Sequence, residues 1–253
     1  MRQSLKLYHT NKLFQFLSFH FGQEATEELM LRYHVGTSKH WPGATVFWQV
    51  DISGRVRTGK VMLYNPENGR RIKEPHNYIT WVHSLLKKEN FNLRQCLFGE
   101  HLLTSDQQRP VALVESEKSA LISSFYLPQY LWIASGGKNG AFNRDAMSVL
   151  LFPDLGATDY WNSKMEMIRS LGIEVSLFDF MERNATKEER DAGYDIADFL
   201  LREETKEAIL NRLITLNPAL KTLVETFDLQ LVDVKKAPFS ATVQHAREGL
   251  FKR

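Results

Sequence analysis

The sequence has 253 residues, of which 43% are hydrophobic and 25% charged, a composition sufficient for a globular core. A formal net charge of +2 argues against nucleic-acid binding through overall charge, so any basic surface has to be local. The single cysteine, Cys96, excludes an internal disulfide and a cysteine-built zinc site. The first ten residues lack a signal-peptide apolar region, and no run reaches the roughly 18 apolar residues of a membrane span. We therefore expect a cytoplasmic protein with no membrane partner.

The N-terminal part combines helical and strand patterns. Apolar residues at helical spacing predict one helix over 11–22 and a second over 24–34. Two β-rich runs, 45–51 and 55–65, meet at Ile52-Ser53-Gly54, which indicates a β-hairpin. Polar segments rich in Pro and Gly predict loops, and these are residues 37–42 and 66–80.

The pattern changes after residue 108. Four short apolar runs alternate with helical segments, which is typical of a parallel sheet covered by helices on both faces. The runs are 111–114, 130–134, 149–152 and 174–178, and the helices are predicted over 118–125 and 160–171. We expect an α/β protein with an α+β N-terminal part, divided into segments 1–108, 109–180 and 181–253.

The last segment is predicted to be helical. A capping-box pattern at 186–189 opens a helix that continues through 196–200 if the interruption at Gly193 is tolerated. A further helix is predicted along Ile209, Leu213 and Leu216, and it stops near Pro218.

Two carboxylates follow the apolar runs directly. Glu115 comes after 111–114, and Asp154 comes after 149–152 with Pro153 between them. Ligands of open α/β sheets collect at the carboxyl ends of the strands, so both side chains would enter one crevice if the two strands are adjacent. Carboxylates that converge there suit Mg²⁺ or Mn²⁺ and phosphoryl or nucleotidyl transfer. The alternative is that these acidic residues cap the following helices.

The segments around these carboxylates resemble toprim motifs. VALVESEKSALISSFY, residues 111–126, is similar to the first motif, with Glu115 at the family's glutamate, Ser116 at its usual glycine and Ser119 where an aspartate is common. VLLFPDLGATDYW, residues 149–161, resembles the second motif, with Asp154 at its first aspartate and Gly156 at its second.

Further segments resemble the catalytic core of DnaG-type primases. GYDIADFLL at 193–201 matches an acidic segment after the toprim core, with Asp195 and Asp198 at its acidic positions. The hairpin at 45–65, LFGEHL at 97–102 and SGGKNG at 135–140 follow the family's order. The resemblance implies a toprim, Rossmann-like parallel sheet after a primase-like subdomain, of the divergent kind carried on phages and mobile genetic elements.

This resemblance implies a catalytic centre at Glu115 and Asp154, which hold Mg²⁺ or Mn²⁺ and are completed by Asp159 or Asp195, without zinc. Three hypotheses follow. The first is a primase-type nucleotidyltransferase in DNA replication or in mobilisation of an element, and the second is a nucleic-acid-binding module that keeps the scaffold without the chemistry. The third is a toprim nuclease. The expected partners are single-stranded DNA or another nucleic acid, nucleotides, and replication or mobilisation proteins.

Basic residues beside the hairpin indicate where a strand would bind. Cationic groups on phosphates and aromatic rings under bases are the usual means of holding a single strand. The aromatic residues Trp48, Tyr64 and Trp81 lie nearby in the sequence, and the alternative is a solvated hairpin face with these rings in the core. The basic candidates are Arg55, Arg57, Lys60, Arg70 and Arg71, with Lys118 and Lys138 beside the crevice unless these two are plain surface lysines.

Overall fold

The computed structural model describes residues 1–87, 91–104, 109–136 and 148–202, together with 210, 214, 217–227 and 229. The chain divides into two compact units, Met1–Leu201 and Arg202–Arg253. In the second unit the structure describes one complete helix, Ala219–Thr226. The residues of the helix predicted at Ile209, Leu213 and Leu216 lie outside the described part, and so does Lys138. The boundaries after residues 108 and 180 stay predictions.

The first unit begins with the two predicted helices. They are α1 (Lys12–Phe21) and α2 (Gln23–Arg32). Asn11 starts α1, because its side-chain oxygen accepts the backbone N–H groups of Leu13 at 3.0 Å and Phe14 at 3.1 Å. The apolar face that the sequence indicated on α1 is buried, and it comprises Leu13, Phe14, Leu17 and Phe21.

An antiparallel sheet follows these helices. Its strands are β1 (Val35–Ser38), β2 (Ala44–Val50), β3 (Val56–Met62) and β4 (Ile79–Trp81), hydrogen-bonded in that order, and α3 (Val82–Leu86) follows β4. The predicted hairpin is confirmed as β2 and β3. The two loop predictions are wrong at their ends, because residues 37–38 and 79–80 lie in the outer strands. These strands are short and half-buried, so they lack a clear apolar alternation.

A parallel sheet forms the rest of the first unit, as predicted. Its strands are β5 (Val111–Val114), β6 (Leu131–Ala134), β7 (Ser148–Leu151) and β8 (Glu174–Leu177), in the order β6-β5-β7-β8. The helices α4 (Glu117–Tyr126) and α5 (Thr158–Ser170) flank it. The mixed α/β class with a helix-flanked parallel sheet is therefore confirmed.

Three short helices follow β8. They are α6 (Phe180–Asn184), α7 (Lys187–Ala192) and α8 (Ile196–Leu201). Thr186 and Glu189 form the predicted capping box at the start of α7. The helix does not continue to residue 200, because Gly193 adopts a left-handed conformation with φ of 62° and ends α7. The chain thereby turns, and α8 packs against α4.

The two sheets are joined through buried contacts. Phe98 and Ala134 exchange backbone hydrogen bonds of 2.9 and 3.0 Å, so the segment before β5 extends the edge of the parallel sheet at β6. The hydroxyl of Tyr33 donates to the carbonyl of Trp132 at 2.9 Å, and its ring stacks on Phe98. These contacts hold the hairpin beside the parallel sheet. Within the described part of the chain, no helix has the length and apolar character needed to cross a membrane.

Candidate active site and nucleic-acid interface

Glu115 and Asp154 lie at the ends of neighbouring strands. β5 and β7 pair in parallel with Leu113 opposite Leu151, and the Phe152 amide donates to the carbonyl of Leu113 at 2.8 Å. Both acidic residues therefore leave the sheet at its carboxyl edge. Glu115 is buried with 8% of its surface exposed, and Asp154 is half-buried.

The carboxylate of Glu115 has a protein partner. The indole Nε1 of Trp161, on α5, donates to Glu115 Oε1 at 3.0 Å. Trp161 is itself buried, so this hydrogen bond is shielded from water. The alternative in which Glu115 caps the next helix does not hold, because Ser116 caps α4 by accepting the Ser119 amide at 3.1 Å.

Asp195 belongs to a second polar group, on the other side of α4. It accepts a short hydrogen bond from the hydroxyl of Ser119. Since that hydroxyl has one hydrogen, the 2.6 Å contact between the Ser116 and Ser119 hydroxyls must be donated by Ser116. Asp195 and Asp198 also accept each other's backbone N–H groups at 3.0 and 3.1 Å. The carboxylate of Asp195 therefore serves to anchor α8 on α4.

The pKa of Asp198 shows that this group is crowded by negative charge. Burial raises its pKa, and the neighbouring charge of Asp195 raises it further. The backbone hydrogen bond to Asp195 and the positive charges of Lys118 and Arg70 act in the opposite direction. Both cationic side chains are therefore close enough to Asp198 to influence its titration.

The position of the second family aspartate is filled differently. Gly156 has φ of 80°, a conformation that favours glycine, and its amide donates to Oε2 of Glu182 at 3.0 Å. Glu182 also accepts from Thr158 and forms an ion pair with Arg190. The Gly156 hydrogen bond, followed by the charge of Arg190, outweighs the effect of burial and lowers the pKa of Glu182. Asp159, the predicted substitute ligand, is exposed on the first turn of α5.

These contacts test whether the acidic residues suit a divalent cation. Mg²⁺ is typically bound by carboxylates that have oxygens directed at the ion. Here Glu115 is bound to an indole N–H and Asp195 to a serine hydroxyl, while positions 119 and 156 hold no carboxylate. Among the residues that the structure describes, no three His, Cys, Asp or Glu side chains are grouped so that they could hold a metal. The predicted set of Glu115, Asp154, Asp159 and Asp195 therefore does not fit a metal centre.

Lys60, one of the predicted nucleic-acid contacts, points inward. Its ammonium group donates to Glu117 Oε2 and to the carbonyl of Gly136, each at 3.1 Å. The exposed fractions of the two paired side chains are 12% for Lys60 and 2% for Glu117. Gly136 is in the left-handed region with φ of 74°, and a Cβ there would lie 3.3 Å from Glu117 Oε1. Lys60 thus ties β3 to the start of α4 and to the segment after β6.

Arg55 and Arg57 are also engaged, in the turn of the hairpin. Arg55 Nε lies 3.0 Å from Asp51 Oδ2, and Arg57 contacts the same oxygen at 2.6 Å. Burial tends to raise the pKa of Asp51, but hydrogen bonds from the Arg55 and Ser53 amides and from the two guanidinium groups lower it overall. The turn is therefore neutralised internally.

Arg70, Arg71 and Lys118 differ from the first three cations. Within the described ranges, no residue accepts a side-chain hydrogen bond from them or forms an ion pair with them, and Arg71 Nε is buried without a partner. Arg70 is exposed, whereas Arg71 and Lys118 are half-buried. Of the predicted rings, Trp48 and Tyr64 are buried, and only Trp81 is partly exposed.

Sequence reasoning missed the partners of these groups. Trp161, Glu117 and Glu182 were assigned no role, and their contacts join residues at least 26 positions apart. Asp51 had a local signal, because it opens the Asp-x-x-Gly pattern that ends at Gly54. Its side chain accepts the Ser53 and Arg55 amides at 2.9 and 3.0 Å, as expected of an aspartate in a turn.

No curated protein matches the sequence. Among solved structures, a DnaG catalytic core is 14% identical with a TM-score of 0.44, over 86% of this chain and 91% of that chain. A DnaG primase catalytic domain bound to ssDNA is 13% identical with a TM-score of 0.41, over 100% of this chain and 99% of that chain. The Aquifex aeolicus primase, with its zinc-binding and RNA polymerase domains, is 12% identical with a TM-score of 0.41 over 82% of this chain, which spans 57% of that chain. At these identities and TM-scores, the likeness does not extend to function.

One family model matches residues 11–155, which is more than half of the sequence. The matched region includes both helices at the N-terminus, the antiparallel sheet, and the parallel strands as far as Asp154. The chain belongs to the family described as "Domain of unknown function (DUF6371)".

Proposed function

We propose that this protein is a primase-like scaffold that acts on nucleic acid by binding a single strand through Arg70, Arg71 and Lys118. The observation that carries the proposal is the difference between two sets of cations. Arg55, Arg57 and Lys60 are paired with Asp51 and Glu117. The other three side chains have no such partner among the described residues, so their positive charge is available to an anionic ligand.

The position of these three residues supports a shared surface. Arg70 and Lys118 both act on the pKa of Asp198, and Arg71 acts on that of the buried Tyr64. Lys118 lies in the first turn of α4, at the carboxyl edge of the parallel sheet, while the two arginines come from the segment after β3. A guanidinium group with an unpartnered, buried N–H is suited to a phosphate, whose oxygens accept charge-assisted hydrogen bonds.

The experiment is a fluorescence-anisotropy titration of a labelled single-stranded DNA over a range of salt concentrations. Each lost phosphate contact on a single strand lowers the slope of log K against log salt by about 0.7. The variant with Arg70, Arg71 and Lys118 all replaced by Gln should therefore lose about 2 from the slope. A control variant with the exposed Lys6, Lys39 and Lys187 replaced by Gln loses the same charge elsewhere. Equal loss in both variants, or binding that ignores salt, would refute the assignment.

A second candidate function is nucleotidyl transfer of primase type with Mg²⁺ or Mn²⁺. The observation in its favour is the position of Glu115 and Asp154 at the ends of adjacent parallel strands. The residues as arranged do not fit the cation, which is why binding is the preferred function. Primer synthesis on single-stranded DNA, compared between the intact chain and Glu115→Gln, distinguishes the two. A product that disappears in Glu115→Gln establishes transfer, and no product with intact DNA binding leaves the binding function alone. A role in replication or in mobilisation of a mobile element stays a prediction from the resemblance.

A further inference from the structure

The carboxylates around α4 share a buried environment. The phenol of Tyr64 is buried, and after burial itself the charges of Glu117 and Asp195 raise its pKa well above the usual value. Glu117 and Asp195 therefore flank one ring, although they come from α4 and from the segment before α8. The Lys60–Glu117 pair and the Ser119–Asp195 hydrogen bond are parts of one polar cluster.

Each of three carboxylates in this region has a protein donor. Glu115 takes the indole N–H of Trp161 at 3.0 Å, and Glu117 takes the ammonium group of Lys60 at 3.1 Å. Asp195 takes the hydroxyl of Ser119 and a backbone N–H of α8. A divalent cation would have to displace these donors, and the displaced groups would then be buried without partners.

We propose that the acidic centre is a metal-independent network in which the ammonium group of Lys60 supplies the positive charge and joins the antiparallel sheet to the parallel sheet. We call the residues of this cluster the lysine network, defined as Lys60, Glu117, Gly136, Ser119 and Asp195. A lysine ammonium is a compact charge with three donors. It binds a carboxylate and a backbone carbonyl here, two oxygen ligands of the kind that a hard cation also prefers.

The position of Lys60 explains why the cluster needs a resident charge. Glu117 has only 2% of its side chain exposed, so it has little water to stabilise its ionised form. Removal of one partner of a buried pair leaves the other uncompensated, which is strongly destabilising. The Gly136 carbonyl, held by the same ammonium group, begins the segment after β6 whose further residues lie outside the described part. Lys60 is thus a positioning residue for the edge at which Glu115 and Asp154 lie.

The first test uses the unmodified chain. Its melting temperature is measured in EDTA and in excess MgCl₂ or MnCl₂, and free Mn²⁺ is followed by electron paramagnetic resonance. A metal present at a hundred times its Kd would raise the melting temperature by roughly 5–10 °C. We expect no shift above about 1 °C and no loss of the free Mn²⁺ signal. A rise that Glu115→Gln or Asp154→Asn abolishes would overturn the proposal.

The second test addresses Lys60 itself. Lys60→Met should lower the melting temperature by roughly 6–15 °C, whereas Lys39→Met, at an exposed lysine, should change it by no more than about 2 °C. Adding Glu117→Gln to Lys60→Met removes the uncompensated charge and should restore at least half of the loss. Equal behaviour of the two lysine variants, or no recovery in the double variant, would contradict the role of Lys60.

Should Lys60→Met fail to fold alone, the double variant still decides the question, because a folded Lys60→Met/Glu117→Gln protein is the expected result and an unfolded one contradicts it. The DNA titration separates this proposal from the binding function. The double variant keeps Arg70, Arg71 and Lys118, so its affinity for DNA should stay within about threefold. Lost affinity with unchanged stability would mean that Lys60 contacts DNA instead.

Discussion

Replacing Trp161 by Phe removes the indole N–H that Glu115 accepts at 3.0 Å and leaves most of the aromatic packing in place. A hydrogen bond to a charged group contributes about 1.5–3 kcal/mol to stability, and its loss is felt fully here because Glu115 is only 8% exposed. The smaller ring of Phe adds roughly 1 kcal/mol for lost packing. We therefore expect a total loss of about 2.5–4 kcal/mol, or roughly 5–15 °C in the melting temperature.

The assay is urea unfolding followed by far-ultraviolet circular dichroism, since removal of a tryptophan would change the fluorescence signal. A double-mutant cycle with Glu115→Gln isolates the interaction, because Gln keeps an acceptor oxygen and loses the charge. The coupling between Trp161 and Glu115 should be about 1–2 kcal/mol. Additive effects, or a Trp161→Phe loss of only about 1 kcal/mol, would show that Glu115 does not depend on the indole. Recovery of Trp161→Phe by Mg²⁺ would point to a cation at Glu115 instead.

Three further predictions concern groups with shifted pKa values. Asp198→Asn removes a negative charge beside the proposed DNA surface and keeps the oxygen that accepts the Asp195 amide, so DNA affinity should rise roughly threefold to tenfold, while Asp191→Asn, at an exposed position, should change it less than twofold. Burial, followed by the charge of Glu100, raises the pKa of Cys96 to about 12, so its reaction with a thiol reagent at pH 8 should proceed only as fast as the chain opens, and immediate stoichiometric reaction would contradict its burial. Burial lowers the pKa of His101 from 6.5 to about 4, so the folded state resists a proton that the unfolded state takes up, and stability should fall as pH falls from 6.5 towards 4 by more in the native chain than in His101→Gln. Equal urea midpoints for the two chains across that pH range would contradict the last of these.

The fold could be predicted to a large extent because its signals are local. Continuous apolar runs gave the four parallel strands, and helical spacing gave α1 and α2. The outer strands β1 and β4 could not be predicted, because they are three or four residues long and depend on hydrogen bonds to β2 and β3. The break at Gly193 was visible as a glycine, but the turn there also reflects the packing of α8 on α4.

The candidate site was predictable only as a set of chemical groups. The sequence determined by itself that Glu115 and Asp154 follow buried strands, and therefore that they share the carboxyl edge of a parallel sheet. It could not determine whether their oxygens would be available, because the donors on Glu115 and Glu117 come from residues 46 and 57 positions away. Likewise, the basic residues were recognised as one class, and only the tertiary structure divided them into paired and unpaired cations. The physical reason is that a charge is a property of a residue, whereas its neutralisation depends on which distant donor or carboxylate the fold places within about 3 Å.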